Sequence, residues 1–309
     1  MTSVPSAVKS RLPHRIPHPL RKAGACHYDG GVSATRVPGS GDKSPIFLPG
    51  PGPGVLCLHG FTGTPYEVAP LARALAGAGF AVSAPLLAGH GDTAATLAAT
   101  RWQDWLASAE AAFDRLHTQV SGRPVAVAGF SMGGLLALRL ACTRPGAVAA
   151  LALLSVPLRL PDWQTAIIHA FAHLPGCLRR NRLASLPKRG GSDVTDPQVR
   201  QENPALTEMP LAGIAELVAL GESVRRELSA IQIPALVAHG ERDRTVPQGA
   251  SFELAGSLAS ATVERLWLPG SGHLIAVDVE RAQLCETVVR FLSQHTPAGA
   301  AAGAEKQAP

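Results

Sequence analysis

Residues 126–135 read AVAGFSMGGL. A small polar residue, Ser131, stands between Gly129 and Gly133, with an apolar run on either side. Upstream, PVAVAGF at 124–130 is short and continuously apolar, the pattern of a strand buried on both faces. Downstream, MGGLLALRLACTR at 132–144 has helical character. The serine therefore marks a sharp strand-to-helix turn. Glycines suit such a turn because neighbouring backbone must come close. In this context Gly-x-Ser-x-Gly is the nucleophile elbow: the bend lifts the serine oxygen above the sheet. It also aims the positive end of the following helix at the same point. A serine helix cap between two glycines would spell the same five residues, so the surrounding pattern has to decide.

That pattern alternates. VLCLHG at 55–60, FAVSAP at 80–85, AVAALALLS at 147–155, PALVAHG at 234–240 and TVERLWL at 262–268 read as strands. YEVAPLARALAGAG at 66–79, WQDWLASAEAAFDRLH at 102–117 and VERAQLCETVVRFLSQ at 279–294 read as helices. Strands alternating with helices predict an α/β fold, a mostly parallel sheet with helices on both faces, whose folded body begins near Gly54. From Pro157 the rhythm breaks. WQTAIIHAFAHL at 163–174 and LAGIAELVAL at 211–220 read as helices, separated by a segment that includes the polar PKRGGSDVTDPQ. The expected organisation is a disordered basic extension over 1–24, a sheet domain over 25–296 with a helical cap insertion at about 157–229, and a disordered tail over 297–309.

Composition narrows the class. Hydrophobic residues make up 46% and charged residues 17%, enough for a sizeable core. The formal charge of +5 resides in the first 24 residues, where Lys9, Arg11, Arg15, Arg21 and Lys22 meet no acid. The rest of the chain is balanced, so the charge does not argue for a nucleic-acid partner. The extension lacks the apolar core of a secretory signal. Its acid-free, arginine-bearing start hints at a transit peptide, but Pro5, Pro13, Pro17 and Pro19 spoil an amphipathic helix. Disorder is the expectation for it, with weak contact to an anionic membrane surface as the second reading. No run reaches the ~20 apolar residues of a membrane span. Cys26, Cys57, Cys142, Cys177 and Cys285 show no CxxC spacing, which predicts reduced thiols in a cytoplasmic protein and no metal site.

A serine hydroxyl needs a base to become a nucleophile. Of eleven histidines, His273 in LPGSGHLIAVD follows the last predicted strand on a glycine-rich loop and precedes the last helix. His59, His90 and His239 lie too early for the chain order of serine, acid, histidine, or lack that context. The base needs an acid to fix its tautomer. Asp243, in HGERDRTVP directly after the strand PALVAHG, is the first choice, with Glu241 in reserve. Asp278 reads as the start of the final helix, too close in sequence to His273. Two backbone N–H groups should receive the oxyanion: that of Met132, after the nucleophile, and that of Phe61 in the loop HGFTG.

With these residues in place, the chain resembles an α/β-hydrolase of the bacterial carboxylesterase and monoacylglycerol lipase group over roughly 54–295. The resemblance rests on LHGFTG at 58–63, PLLAGHGDTAATLAATRWQDW at 85–105, AVAGFSMGG at 126–134 and SGHLIAVDVERAQLCETVVRFL at 271–292. It implies the α/β-hydrolase fold and hydrolysis of carboxylic esters without metal or organic cofactor. Ser131, Asp243 and His273 fall in the matching catalytic positions, and Phe61 and Met132 in those of the oxyanion donors. The basic extension departs from the group's pattern. So does LRRNRLASLPKRGGSDVTDPQ at 178–198 in the expected cap, which bears on substrate preference.

The expected reaction is two-step acyl transfer on a small-molecule ester, an acyl ester or monoacylglycerol. Apolar cap residues Trp163, Ile167, Phe171, Leu211, Ile214 and Leu217 would line an acyl pocket or simply pack the cap on the core. A thioesterase or amidase would use the same machinery. Aminopeptidase relatives are disfavoured because the oxyanion loop is HGFTG and not their glycine–proline type. Nucleophilic-aspartate dehalogenases and epoxide hydrolases are disfavoured because the elbow carries serine. A non-catalytic ligand-binding protein on this fold is the alternative of another class.

Overall fold

The structure, a computed structural model, describes residues 42–159, 184–188 and 190–296. The expected extension and tail, Cys26, Cys177, and the cap residues Trp163, Ile167 and Phe171 lie outside these residues.

Among the described residues the main sheet has seven strands: β1 (Ile46–Leu48), β2 (Gly54–Leu58), β3 (Ala81–Ala84), β4 (Val125–Phe130), β5 (Val148–Leu154), β8 (Ala235–Gly240) and β9 (Val263–Leu268). Their order is β1-β3-β2-β4-β5-β8-β9. All pairs are parallel except β1 with β3, in which Ile46 opposes Ala84. The helices packed with the sheet are α1 (Ala69–Gly77), α3 (Trp102–Gln119), α4 (Met132–Thr143), α7 (Gln248–Ser257) and α8 (Arg281–His295). A short helix α2 (Ala94–Ala98) precedes α3.

The alternation of side chains along each strand divides the core in two. Leu56, Leu58, Val125, Val127, Leu151 and Leu153 face one side, where Phe113, Leu116, Leu135 and Leu136 of α3 and α4 pack. Val55, Cys57, Ala126, Ala128, Ala150 and Ala152 face the other, against Leu71 and Leu75 of α1 and Leu284, Val288 and Phe291 of α8. The alanines of β4 and β5 leave room on that face for the large side chains of α8. Both faces of the central strands are therefore dry, which is why their sequences run apolar without interruption.

Between β5 and β8 the chain carries a two-stranded antiparallel ladder, β6 (Ser185–Pro187) with β7 (Glu208–Pro210), and helices α5 (Pro197–Glu202) and α6 (Leu211–Arg225). The expected helix at 211–220 is the first two-thirds of α6. Its Ile214 and Leu217 are buried, and Leu217 belongs to the α3–α4 side of the core.

Three features differ from the sequence expectation. The folded body starts before Gly54, at β1, a three-residue edge strand too short to carry a periodicity. The helix α7 has almost no amphipathic pattern, so periodicity does not reveal it. Asp278 does not start the last helix: α8 begins at Arg281 with Glu280 at its cap position, and Asp278 is wholly buried.

Candidate active site

Ser131 joins β4 to α4 with φ 52° and ψ −117°, a conformation that L residues rarely adopt. Its own N–H donates to Leu154 O at 2.8 Å, which anchors the turn to β5. The flanking glycines serve close approach. A Cβ on Gly129 would sit 2.2 Å from Gly133 O, and one on Gly133 would sit 2.2 Å from Leu58 O. The strained residue is thus the serine itself, and the glycines clear the space in which it bends.

The two distant groups meet this serine. His273 Nε2 lies 3.0 Å from Ser131 Oγ, and His273 Nδ1 lies 2.8 Å from Asp243 Oδ2. A carboxylate only accepts, so Nδ1 carries the proton and Nε2 accepts from the serine hydroxyl. The other oxygen, Asp243 Oδ1, accepts from the N–H groups of Thr245 and Val246, each at 2.8 Å. Burial pushes the His273 pKa down, but the charge and hydrogen bond of Asp243, with the charges of Asp193 and Glu67, outweigh it, and the net shift is upward. For Asp243 burial pushes upward, and His273, His239 and the Val246 N–H reverse it to a net lowering. Ser131 and His273 are 7% and 6% exposed, so solvent reaches the pair only narrowly.

The reserve acid does not join them. Glu241 is exposed on the surface, its backbone N–H bonded to Leu268 O. His59 and His90 are buried with their rings 5.0 Å apart. Burial lowers their pKa values to about 3 and about 4, so both rings are neutral. His59 Nδ1 donates to Gly60 O and Nε2 accepts from Leu87 N–H, so this ring ties the end of β2 to the loop after β3.

The expected oxyanion donors lie on two different segments, after β4 and after β2. Met132 is the first residue of α4, where a helix N–H has no intrahelical acceptor. Phe61 sits on the loop 60–63, which turns through Thr62 at φ 64° and closes with Gly63 N–H on Gly60 O at 3.1 Å. The Gly60 ring neighbour is Phe130, whose Cε1 would be 2.9 Å from an added Cβ.

Several residues that support this geometry left no signal in the sequence. Glu67, buried in the turn before α1, accepts from Gly60 N–H at 3.0 Å, and Gly63 packs directly on its carboxylate. Burial raises its pKa, against the charge of Lys188 and the hydrogen bond from Gly60. Lys188, next to β6, donates from Nζ to Thr62 Oγ1, and Leu206 N–H donates to Thr62 O at 3.0 Å. On the other side, Asp278 accepts from Gly272 N–H at 2.7 Å, from Val279 N–H at 2.8 Å, and from the N–H groups of Thr195 and Asp196 at 2.9 Å each. Asp193 Oδ2 accepts from Arg244 N–H at 2.8 Å and Thr245 Oγ1 at 2.9 Å, while its carbonyl accepts from Leu274 N–H at 3.1 Å. One short stretch, 193–196, thereby fastens both the acid loop and the histidine loop. The acids stand in plain view in the sequence, but nothing in their spacing tells which backbone they will meet.

Among the described residues no group of His, Cys, Asp and Glu has the arrangement of a metal site, and no helix is long and apolar enough to cross a membrane.

Comparison with known proteins gives this geometry its family. Residues 51–280 match the family described as serine aminopeptidase, S33. The chain belongs to that family of α/β-hydrolases. A thermostable monoacylglycerol lipase of Bacillus sp. (strain H-257) is 31% identical over 245 residues, covering 78% of this chain and 91% of the relative. A carboxylesterase of Bacillus subtilis (strain 168) is 26% identical over 250 residues, covering 81% and 96%. A solved structure from work on the metagenome-derived lipolytic enzymes LipS and LipT superposes with a TM-score of 0.72 at 30% identity, over 82% of this chain and 98% of that one. The α/β-hydrolase of the carboxylesterase and monoacylglycerol lipase group, expected from the motifs, is thus the group to which the chain belongs. The family's description names an aminopeptidase, while the relatives matched here carry lipase and esterase names.

Proposed function

We propose that this serine hydrolase cleaves carboxylic esters through an acyl-enzyme, with Ser131 as nucleophile, His273 as general base and acid, and Asp243 as the ionised partner of His273. The observation that carries it is the unbroken run of hydrogen bonds from Ser131 Oγ through the His273 ring to Asp243 Oδ2. Ser131 Oγ attacks the carbonyl carbon while Nε2 takes its proton. The carbonyl oxygen becomes an oxyanion, held by the N–H groups of Phe61 and Met132 at about 3 kcal/mol of barrier for each donor. Collapse of the intermediate expels the alcohol, which takes the proton from Nε2. Water then attacks the acyl-serine, giving its proton to the same nitrogen, and the acid leaves as Ser131 is regenerated.

The names of its relatives point to acyl esters, monoacylglycerols among them, as the substrate class. We assign residues 157–229 the part of a cap over the site. Lys188 and Leu206 reach the oxyanion loop, Gly213 of α6 packs on the Phe61 ring, and Glu216 accepts from Trp102 N–H at 3.2 Å.

The test is a fluorophosphonate probe followed by p-nitrophenyl esters of increasing acyl length, run beside monoacylglycerols and acyl-CoA. Labelling of the native chain above a heat-denatured control, abolished in Ser131→Ala, is expected. Ser131→Ala, His273→Ala and Asp243→Asn should each lower kcat by roughly 10⁴-fold or more with folding intact, and their effects should not add. Native protein that labels no better than the denatured control would favour a non-catalytic ligand-binding role. Faster turnover of acyl-CoA than of any oxygen ester would favour a thioesterase.

A further inference from the structure

The reaction above uses one histidine at Asp243, but two imidazoles reach the same carboxylate oxygen. His239, the fifth residue of β8, is wholly buried. Its Nε2 lies 3.3 Å from Asp243 Oδ2 and 3.2 Å from Val246 O. Both of these oxygens only accept, so Nε2 carries the proton; its hydrogen bond goes to Val246 O, and Asp243 Oδ2 lies beside it as a close polar contact. The far nitrogen, Nδ1, is 2.7 Å from Ser251 Oγ on α7. In the neutral ring Nδ1 accepts, so the serine hydroxyl donates to it. Ser251 is itself wholly buried and thereby fixes both the tautomer and the ring orientation.

The polar groups facing His239 are Asp243 on its own loop, the Val246 carbonyl, Ser251 from α7 and, beyond Asp243, His273. From β9 it meets the indole of Trp267, its cross-strand neighbour, with ring centroids 6.2 Å apart. Burial, with the charge of His273, holds the ring neutral against the pull of Asp243. A second cation beside Asp243 would compete with the imidazolium that forms on His273. A neutral ring does not, and its Nε2–H still lies against the oxygen that His273 uses.

We propose that His239 is a positioning residue for the reaction: its Nε2–H, aligned by Ser251 and bonded to Val246 O, fixes the turn 243–246 and lies against Asp243 Oδ2 beside His273 Nδ1. The inference rests on the Ser131–His273–Asp243 reading. The contacts then run from Ser131 through His273 to Asp243, and from the Val246 carbonyl of the same turn through His239 to Ser251. Without His239 the buried Val246 O loses its donor and the turn whose Thr245 and Val246 N–H groups hold Asp243 Oδ1 loosens, so Oδ2 drifts off the His273 axis.

Three variants test this. His239→Gln keeps an N–H near the position of Nε2, His239→Leu removes it, and Ser251→Ala frees the ring to turn. With an ester substrate, His239→Leu should lower kcat about 10- to 100-fold at nearly unchanged KM, the scale of a buried acceptor, Val246 O, left without its donor beside the acid. Its kcat/KM profile should rise at higher pH than in the native chain, because Asp243, without the Nε2–H dipole beside Oδ2, attracts the His273 proton more strongly. His239→Gln should restore most of kcat and the native pH profile. Ser251→Ala should shift both in the direction of His239→Leu, by less. The ¹H resonance of His273 Nδ1–H, read without substrate, should move in His239→Leu and Ser251→Ala and return in His239→Gln. Because this signal does not depend on turnover, it separates failure of the inference from failure of the esterase reading. Native kcat and pH profile in both His239→Leu and Ser251→Ala would overturn the proposal. So would a loss of activity that tracks only the unfolded fraction, with the pH profile and the Nδ1–H resonance unmoved. If His239→Leu does not fold, Ser251→Ala decides by the same readouts.

Discussion

The two halves of the site are built by different means. At the elbow, Ser131 is held by backbone: β4 enters, α4 leaves, and Gly129 and Gly133 allow carbonyls to come where a Cβ would collide. No side chain caps this turn. Across the site, Asp243 and His273 lie on loops that are held by carboxylates. Asp278 gathers the N–H groups of the histidine loop and of residues 195–196, and Asp193 ties the acid loop to Leu274. Steric exclusion leaves the elbow one conformation and no titrating group to alter it. A hydrogen-bonded clasp, by contrast, carries charge to within reach of the His273 imidazole, so it raises that ring's pKa as well as placing it.

The largest expected effect comes from challenging the steric half. Gly133→Ala puts a methyl 2.2 Å from Leu58 O and 2.8 Å from His59 O, both backbone atoms that cannot move aside singly. It should destabilise the fold by more than about 4 kcal/mol, seen as insoluble protein or a collapsed Tm. A folded, active Gly133→Ala chain would break the claim that close approach governs the elbow.

Next is the clasp. Asp278→Ala leaves several buried N–H groups without an acceptor and should cost about 3 kcal/mol, measured by urea denaturation, with a fall in kcat as the His273 loop loosens. If stability falls while kcat per folded molecule stays native, the clasp serves the fold and not the site.

The smallest effect is the most diagnostic. Asp193→Asn keeps the shape of the side chain and removes a charge that raises the His273 pKa. The proposed mechanism needs neutral His273, whose pKa is shifted above the usual 6.5, so the native kcat/KM should rise with pH through a midpoint above 6.5. Removing the Asp193 charge lowers that pKa and moves the rise to lower pH. The linked stability follows the same sign. A raised His273 pKa stabilises the folded state fully below 6.5 and loses that contribution as pH climbs through the folded-state value. A pH-rate profile of Asp193→Asn that coincides with the native one would remove the electrostatic distinction between the two halves.

How much of this could be read beforehand follows from the same division. The strands and helices that carry the elbow are apolar and periodic, and periodicity is local information. The positions of Ser131, Asp243 and His273 at the ends of strands followed from it, together with their order along the chain. Asp278 reads as a helix start in the sequence because an acid before a helix is what a cap looks like. In the fold its carboxylate turns instead to N–H groups as far as 83 residues away. Glu67 looked like one more polar residue of a helix, although it is buried under the oxyanion loop. His239 comes before the acid in the chain, an order that matters for the base and says nothing about a residue behind the acid.

The sequence alone determined the alternating architecture, the bend at Ser131 and which residues had the chemistry to act, because apolar periodicity and turn-forming glycines impose themselves within a few residues. Only the tertiary structure decided which carboxylates grip which loops and that two imidazoles lie beside Asp243 Oδ2. Those contacts join a charged side chain to backbone or ring atoms brought near by the packing of the sheet, and a contact between segments so far apart in the chain has no repeat or motif to announce it.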